Sequence, residues 1–254
     1  MSRILNATTM RNILGVVLAI SAWQVFAIIS DTPLIPGLER IVAELLYMLR
    51  DGTIAHHALS SLATGGAGLC LALVVAAVLG VGAGRNWVVD AAIHPLVTLL
   101  YPVPKLALYP LIILLLGIGW PSRSAQVALE CFFPLFVHSY AGAKAVSQRA
   151  EWLARNVGAG PWRFFSDILV PSALPTMLTG LRVAVPIMLI VTTVTEFIGD
   201  SQGLGHLIAR SAAYFDTASS LAVVFVLGVI GMICDRIIVA LRHRIVFWER
   251  AASL

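Results

Sequence analysis

Long apolar segments alternate with short polar ones along nearly the whole chain. Six segments are long enough and poor enough in charge to cross the apolar core of a bilayer, which is roughly 30 Å thick. They cover about residues 12–30, 57–84, 91–117, 124–143, 172–199 and 217–240. The pattern therefore predicts an all-α polytopic membrane protein with about six transmembrane helices, in a single domain that spans residues 1–254.

The segment between the first two spans has a different, amphipathic pattern. It follows Pro36 and Gly37, and apolar residues recur in it at the three- and four-residue spacing of one helix face. The members of this stripe are Leu38, Ile41, Val42, Leu45, Leu46 and Leu49. A helix over about residues 37–50 with one apolar side is expected to lie along the outer face of the membrane instead of crossing it.

The composition agrees with a membrane protein and indicates its orientation. Of the 254 residues, 59% are hydrophobic and 12% are charged, whereas soluble domains have about 25% charged residues. The Lys and Arg residues concentrate in both termini and in the loops after the second and fourth spans. We therefore expect these regions, including both termini, to face the cytoplasm. No cluster of Lys and Arg is interleaved with aromatic residues, so nucleic-acid binding is excluded.

The sequence contains no motif for nucleotide binding or for metal-dependent hydrolysis. The patterns GxxxxGK[ST] and HExxH are absent, so we expect that the chain neither binds ATP itself nor acts as an enzyme. Cys70, Cys131 and Cys234 lie in apolar segments without metal-ligand spacing, and the pair of His56 and His57 lacks further ligands. We expect no metal site and no cofactor on this chain.

A glycine-rich stretch, TGGAG at residues 64–68, lies inside the second span. Because the surrounding sequence is apolar and uncharged, a phosphate-binding role is disfavoured. Gly65, Gly66 and Gly68 instead predict that another helix packs closely against this part of the span.

The loop between the fourth and fifth spans, about residues 144–171, is long and mixed in character. A short helix over about residues 150–159 would present Trp152, Leu153 and Val157 as apolar contacts, and Gly and Pro residues then break this helix. Exposed aromatic side chains need a surface to be buried against. From the residues alone, this surface is either the lipid headgroup region or a cytoplasmic protein that docks on the helix.

This loop resembles the EAA loop of ATP-binding-cassette (ABC) importer permeases. That motif has Glu-Ala-Ala, three residues, Gly, nine residues, Ile, one residue and Leu-Pro. Ala154, Gly158, Ile168 and Pro171 match it with both gaps intact. The resemblance implies contact with an ATPase subunit through the residues at and around these positions. They are Glu151, Trp152, Leu153, Ala154, Arg155, Gly158, Ala159, Ile168 and Pro171.

The loop departs from the motif at three positions. Trp152 stands where the motif has Glu, Leu153 replaces the first Ala, and Val170 replaces Leu. Glu151 lies one residue too early for the acidic position of the motif. We therefore expect the packing of apolar side chains to carry more of the contact with an ATPase than charge does.

Four further segments resemble the nitrate/sulfonate/taurine/bicarbonate branch of these permeases. They are YPVPKLALYPLIILLLGIG at residues 101–119, FFPLFVHSYAGAK at 132–144, LPTMLTGLR at 174–182 and EFIGDSQGLGHLI at 196–208. The resemblance extends over nearly the whole chain. It implies the transmembrane-domain fold of a type I ABC importer, located in a bacterial inner membrane.

The same resemblance implies a set of partners. Two cytoplasmic ATPase subunits would bind ATP and Mg²⁺, and a second permease copy would complete a homodimer in the lipid bilayer. An extracytoplasmic solute-binding protein would deliver a small anionic solute, and closure of the ATPases would switch the permease pair between inward- and outward-facing states. The alternatives are a secondary carrier or channel that works without an ATPase and, third, a non-transporting scaffold. Neither accounts for the EAA-like spacing.

Charged residues inside membrane spans are costly and are therefore candidates for the translocation path. Lys105 and Glu130 lie at similar predicted depth, so they either form a structural ion pair or place a side chain on the path. Arg182 either extends to the cytoplasmic headgroups or serves as a cationic gate. Glu196 lies near the outer end of the fifth span, where an interfacial role is expected.

Overall fold

The computed structural model describes residues 2–30, 32–198 and 202–248, and within them it consists of helices without a strand. A 3₁₀ turn covers Lys105–Leu108, and a π turn covers Phe165–Leu169. Numbered in chain order, the helices are α1 Ser2–Ser30, α2 Leu38–Arg50, α3 Thr53–Arg85, α4 Trp87–Leu100, α5 Tyr109–Leu116, α6 Trp120–Lys144, α7 Gln148–Asn156, α8 Pro161–Phe164, α9 Val170–Glu196, α10 Leu204–Ala213 and α11 Thr217–Ile245.

Four helices in the described part of the chain are long and apolar enough to cross a membrane. They are Thr9–Ser30 within α1, Thr53–Arg85, the continuous helix Pro161–Glu196, and Thr217–Ile245. The bent pair of α4 and α5 adds a fifth if it is counted as one span. Helix α6, the fourth predicted span, is 25 residues long but carries more polar side chains. The count of six spans therefore stays a prediction.

The third predicted span, residues 91–117, is a broken helix in the structure. Its two parts, Trp87–Leu100 and Lys105–Leu116, meet at an angle of 92°. Pro102 and Pro104 lie in the break. Proline lacks the amide hydrogen that the helix needs, and it disfavours helical backbone at the residue before it. Two prolines so close together therefore end α4 and redirect the chain.

The start of the fifth predicted span, residues 172–199, is also corrected. The helix begins at Pro161 and continues through the π turn to Glu196. Proline is favourable at the first position of a helix, because its missing amide hydrogen would have no partner there. The second half of the long loop is therefore helical, and Gly199 lies outside the described residues.

Helices α3, α6 and α9 pack against one another and form the core of the molecule. The core contains mostly small and medium-sized side chains around a few larger ones. Ala76, Val127, Phe136, Ala184 and Met188 are among its buried members, and each is at most 4% exposed. Small side chains let helix backbones approach closely, which is how helices pack where lipid surrounds them.

The glycine-rich stretch of α3 permits this close approach at two of its three glycines. A β-carbon at Gly65 would lie 2.6 Å from the Thr192 hydroxyl oxygen, and one at Gly68 would lie 2.5 Å from the Ser124 carbonyl oxygen. The predicted packing role is confirmed for these two residues. It is wrong for Gly66, where a β-carbon would meet no atom within 4 Å.

The amphipathic helix predicted over residues 37–50 is α2, and its apolar side is used for packing. Met48 is buried in a small cluster with Ile54 of α3, Leu207 of α10 and Val223 of α11. Part of the apolar stripe is thus covered by protein. The position of α2 on the outer face of the membrane stays a prediction.

One glutamine joins α1 to the start of α2. The amide of Leu38 donates to Gln24 Oε1 at 2.8 Å, and Gln24 Nε2 donates to Glu39 Oε2 at 2.9 Å. The backbone amide of Glu39 itself and the Gln24 side chain lower the pKa of the Glu39 carboxyl. The turn between the two helices is therefore held by polar contacts at its exposed edge.

Candidate functional site

The short helix predicted over residues 150–159 is α7, Gln148–Asn156. Ser147 precedes it, and its hydroxyl oxygen accepts a hydrogen bond from the amide of Ala150 at 3.3 Å. A serine at this position satisfies one of the first helical amides, which have no partner inside the helix. Local sequence therefore determines where α7 begins.

Gly158 ends α7 in a left-handed backbone conformation, with a φ of 74°. Its amide donates to the carbonyl of Arg155 at 3.0 Å, and the amide of Ala159 donates to the carbonyl of Ala154 at 2.9 Å. These two bonds form a Schellman motif, which satisfies the last carbonyls of a helix and favours glycine at the left-handed position. The glycine of the EAA-like motif therefore has a conformational role.

Glu151 attaches the inner side of α7 to the end of α3. Its carboxylate pairs with Arg85 of α3 and, at 2.5 Å, with Arg155 one turn along α7. Arg85 also donates to the carbonyl of Val146 at 3.4 Å, and its guanidinium carbon lies 5.3 Å from the centre of the Phe164 ring. Within this chain, Glu151 therefore holds α7 against the helix core.

Residues of the motif and their neighbours pack on the inner side of this segment. Val146 and Leu169 are buried in a small apolar cluster, and Ile168 packs against them. Ala154 is only 3% exposed, and Pro171 is half-buried in the first turn of α9. These motif residues stabilise the turn from α7 to α9 and leave little of their own surface for a partner.

The outer side of α7 and α8 carries exposed apolar residues. Trp152 is 60% exposed, Leu153 65%, Val157 74% and, at the start of α8, Trp162 75%. We call these four residues the apolar patch. Several large apolar side chains left exposed on one short segment are typical of a surface that another molecule covers. The segment thus has an inner side that fixes its shape and an outer side available for contact.

The structure brings Lys105 and Glu130 together, which confirms the predicted pair. Lys105 Nζ lies 3.7 Å from Glu130 Oε2, and the two side chains are 10% and 17% exposed. The same Nζ donates to the carbonyls of Tyr101 and Val103 at 3.1 Å each, and it lies 4.4 Å from the centre of the Phe133 ring. Because the break after α4 frees these carbonyls, Lys105 stabilises the bend.

We expect Lys105→Met to destabilise the protein, because Glu130 and two carbonyl groups at the bend lose a partner. The free energy of unfolding should fall by about 3 kcal/mol, as when one member of a buried ion pair is removed. The matched Glu130→Gln variant keeps the bend contacts and should lose about 1 kcal/mol. Thermal unfolding in detergent and solute uptake measure both effects. If these variants and the double variant transport like wild type, neither residue belongs to the translocation path.

Arg182 forms a separate ion pair. Its Nε and Nη2 donate to the two carboxylate oxygens of Asp235 on α11, at 2.6 and 3.2 Å. The two side chains are 53% and 39% exposed. Arg182 therefore joins α9 to α11, and its role as a gate or as a headgroup contact stays a prediction.

Sequence reasoning misses the most buried ion pair among the described residues. Glu196 is fully buried, and its Oε1 lies 3.7 Å from Nη1 of Arg123, which is 5% exposed. Glu196 Oε2 accepts from the Ser61 hydroxyl at 2.9 Å and from the amide of Gly205 at 2.8 Å. The expectation of an interfacial Glu196 is therefore wrong. Arg123 escapes notice because the predicted fourth span starts after it, whereas α6 begins at Trp120.

Side chains of α3 and α9 hold the start of α10. The acceptors are His57 Nδ1, Ser61 Oγ and Glu196 Oε2, which bond the amides of Gly203, Leu204 and Gly205 at 3.0, 2.8 and 2.8 Å. The first amides of a helix otherwise lack protein partners. Within the described residues, no group of three or more His, Cys, Asp or Glu could hold a metal ion. The hydrogen bonds of His57, Ser61 and Glu196 fix the start of α10.

Comparison with known proteins places the chain among membrane transport subunits. The family described as "Binding-protein-dependent transport system inner membrane component" matches residues 68–247. The formylaminopyrimidine transport permease protein ThiX of Halalkalibacterium halodurans is 31% identical, over 90% of this chain and 91% of that protein. The taurine transport system permease protein TauC of Escherichia coli is 28% identical, over 89% of this chain and 85% of that protein.

A further relative and a solved structure agree with this placement. The putative aliphatic sulfonates transport permease protein SsuC of Bacillus subtilis is 26% identical, over 95% of this chain and 88% of that protein. The methionine ABC transporter MetNI, in an inward-facing conformation, shares the fold with a TM-score of 0.54 at 16% identity, over 77% of this chain and 96% of that one. The taurine and sulfonate relatives support the predicted branch, and the structural match supports the type I importer fold. The chain therefore belongs to the family of binding-protein-dependent transport system inner membrane components, the permease subunits of ABC transporters.

Proposed function

We propose that this permease imports a small solute, which an extracytoplasmic binding protein delivers and ATP hydrolysis on a cytoplasmic partner drives. The apolar patch on α7 and α8 is the observation that carries this proposal. It lies at one end of the helix bundle, on a segment that α3 and α9 support from behind. In this assignment the α7 end faces the cytoplasm, as do both chain termini.

A protein partner accounts for the apolar patch better than lipid headgroups do. Trp152 and Leu153 are adjacent in α7, so their side chains point about 100° apart around the helix axis. Val157 and, on the next helix, Trp162 widen the apolar surface further. A helix that lies on headgroups needs only a single apolar stripe, whereas a groove in a partner can cover several sides of a short helix.

The proposed assembly contains two copies of this chain and two ATPase subunits. We call α7 and α8, with the turn between them, the coupling segment. Each copy has one such segment, so one ATPase per copy would cover each apolar patch. Closed twofold symmetry is the commonest arrangement for identical subunits. ATP and Mg²⁺ would be held by the ATPase subunits, and this chain would supply the translocation path and the coupling contact.

An anionic solute stays a prediction. The relative named for aliphatic sulfonates is consistent with an anion, and the relative named for taurine with a zwitterion that carries a sulfonate. The relative named for formylaminopyrimidine is consistent with a planar ring. Three cations of the long helices and the bend each have a carboxylate within 4 Å, so their attraction for a free anion is reduced. The pairs are Arg123 with Glu196, Lys105 with Glu130, and Arg182 with Asp235.

Replacing Trp152 and Leu153 together by Ala should detach the ATPase. Both side chains are exposed, so the membrane domain should remain folded, while the partner loses its apolar contacts. We expect a tagged wild-type chain to retain its cognate ATPase at equal stoichiometry, and the double variant to retain about tenfold less. Co-purification in detergent, followed by quantitative gel analysis, measures this ratio.

Leu71→Ala is the matched control, because Leu71 is a 55% exposed leucine on the membrane-spanning part of α3. This variant should retain the ATPase like wild type. An unchanged ATPase yield from the Trp152→Ala, Leu153→Ala variant would argue against docking at the apolar patch. Solute uptake by the chain in proteoliposomes without any ATPase would overturn the importer function and favour a secondary carrier.

A further inference from the structure

The ion pair between Arg182 of α9 and Asp235 of α11 differs in its exposure from two further ion pairs of the helix bundle. Its side chains are 53% and 39% exposed in the single chain. The side chains of the other two pairs are at most 17% exposed, because their own chain covers them. These are the pairs of Lys105 with Glu130 and of Arg123 with Glu196. Water, lipid or another chain must therefore meet the Arg182 pair.

The Arg182 pair lies at membrane depth. β-Carbons at Gly180 of α9 and Gly80 of α3 would meet two adjacent residues of α6, so the two glycines share one level of the bundle. Arg182 is about 3 Å of helix beyond Gly180 in the direction of Glu196. Arg85, which holds α7, is about 8 Å of helix beyond Gly80 in the opposite direction. Arg182 thus lies about 11 Å inside the level of Arg85 and about 21 Å from Glu196, within a bilayer core that is roughly 30 Å thick.

Lipid is an unfavourable neighbour for this pair. A long Arg side chain can extend along its helix to the headgroups, but an Asp side chain is too short to do so. Nε and Nη2 of Arg182 donate to the two carboxylate oxygens of Asp235 at 2.6 and 3.2 Å, which holds the guanidinium against α11. Charged side chains at membrane depth face protein or a water-filled cavity. The exposed carboxylate therefore excludes lipid as the main contact.

The seam between α9 and α11 stays polar toward the α7 end. Arg242 lies two turns after Asp235 in α11. Its Nη1 donates at 3.5 Å to the hydroxyl of Thr179, which lies one turn before Arg182 in α9. A dry contact with a second copy would remove water from all of these groups, which has a large desolvation cost. A water-filled cavity that opens at the α7 end avoids this cost, so the seam fits the wall of an aqueous path.

The guanidinium of Arg182 has a second edge that Asp235 does not use. A guanidinium is a planar fork with five donor hydrogens, and Asp235 takes the edge formed by Nε and Nη2. The edge formed by Nη1 and Nη2 matches two oxygens of a carboxylate, sulfonate or phosphate group. Because Asp235 compensates much of the positive charge, an anion would bind weakly here. Weak binding suits a site that a solute must leave again.

We infer that the Arg182–Asp235 pair lines the aqueous translocation path, where Arg182 contacts an oxyanion group of the solute and Asp235 positions the guanidinium. The solute class is a small molecule with a carboxylate, sulfonate or phosphate group. The inference rests on the proposed function, because the path forms only in the assembled importer.

Cysteine labelling of the ATPase-bound transporter in lipid nanodiscs tests whether the pair meets water. Met232 and Ile237 of α11 are 57% and 59% exposed, but they lie about 60° and about 160° from Asp235 around the helix. A membrane-impermeant thiol reagent should modify Met232→Cys at least about tenfold faster than Ile237→Cys, because a thiolate forms in water. Ile237 is nearer to the α7 end, so depth alone would give the opposite order. The wild-type chain with its native cysteines gives the background rate. Equal rates at the two positions would overturn the path assignment.

The charge of the reagent tests the pair itself. Asp235→Asn leaves the charge of Arg182 uncompensated, so an anionic thiosulfonate should modify Met232→Cys about fivefold faster relative to a cationic one. Arg182→Gln should shift this ratio in the opposite direction by a similar factor, whereas Arg182→Lys should keep it close to wild type. If Arg182→Gln fails to assemble, the Asp235→Asn result decides. A ratio that Asp235→Asn leaves unchanged would place the pair outside the path.

Methanesulfonate and dimethyl sulfone test the oxyanion contact, because they are similar in size but only the first is charged. At tens of millimolar, methanesulfonate should slow the labelling of Met232→Cys by a neutral maleimide about threefold. Dimethyl sulfone should not slow it, and the protection should disappear in Arg182→Gln or, if that variant does not assemble, in Arg182→Met. Protection by both compounds or by neither would overturn the oxyanion contact. Failure of the wild-type chain to retain an ATPase would overturn the proposed function independently of the labelling.

Discussion

Replacing Glu196 by Leu is expected to prevent the permease from reaching a stable fold. The buried carboxylate faces Arg123 at 3.7 Å and accepts hydrogen bonds from the Ser61 hydroxyl and the Gly205 amide. Removing one member of a buried ion pair costs about 3–5 kcal/mol, which is a large part of a total stability of about 5–15 kcal/mol. The thermal midpoint and the size-exclusion profile in detergent measure the loss.

Further variants separate the contribution of charge from that of packing. Glu196→Gln keeps the volume and an acceptor oxygen but removes the charge that faces Arg123, so we expect an intermediate loss of stability. Arg123→Met combined with Glu196→Leu removes both charges and should recover part of the loss. Glu44→Leu, at a partly exposed position of α2, is the control and should leave the midpoint nearly unchanged. A wild-type midpoint for Glu196→Leu would show that the fold does not need this ion pair.

Gly158→Val is expected to uncouple ATP hydrolysis from transport. A β-carbon at Gly158 would meet no atom within 4 Å, so the substitution acts through the backbone alone. At a φ of 74°, a side chain costs about 1–3 kcal/mol, and a β-branched one is the least tolerated. The Schellman turn should open, and the apolar patch at the end of α7 should lose its fixed position. Solute uptake should fall about tenfold or more, with an unchanged thermal midpoint of the membrane core.

Two variants control for the Gly158 result. Gly158→Asn places a residue that adopts the left-handed conformation more readily, so uptake should largely survive. Gly160→Ala tests a neighbouring glycine that also has open space around it but has a φ of −65°. This variant should transport like wild type. If Gly160→Ala lost as much uptake as Gly158→Val, the left-handed turn would not be the cause.

The attachment of α7 indicates how a displacement of the apolar patch would be transmitted to the core helices. Glu151 connects α7 to Arg85 at the end of α3, and the continuous helix Pro161–Glu196 connects the same segment to α9. Helices α3 and α9 both pack on α6. A displacement of the coupling segment would therefore act on two of the three core helices together, as a rigid-body switch between two packed states requires.

Several elements of this fold follow from local sequence. The long helices, the amphipathic α2 and the short helix α7 are predicted because apolar periodicity and the break at Gly158 to Pro161 act over a few residues. Pro102 and Pro104 predict a break in the third span, but its angle of 92° depends on what the two halves pack against. The pairing of Lys105 with Glu130 is predictable from their depth, whereas the carbonyl contacts of Lys105 depend on the bend.

The sequence by itself determined that this is a helical membrane permease, and it located the segment for which we propose contact with an ATPase, since both depend on residue types at short, regular spacing. Only the tertiary structure decided which polar side chains are buried and with whom. Glu196 looks interfacial in the sequence because it lies near the end of an apolar segment. In the fold, its helix meets α3, α6 and the start of α10 at that point, so the carboxylate faces Arg123 and caps an amide instead of reaching water.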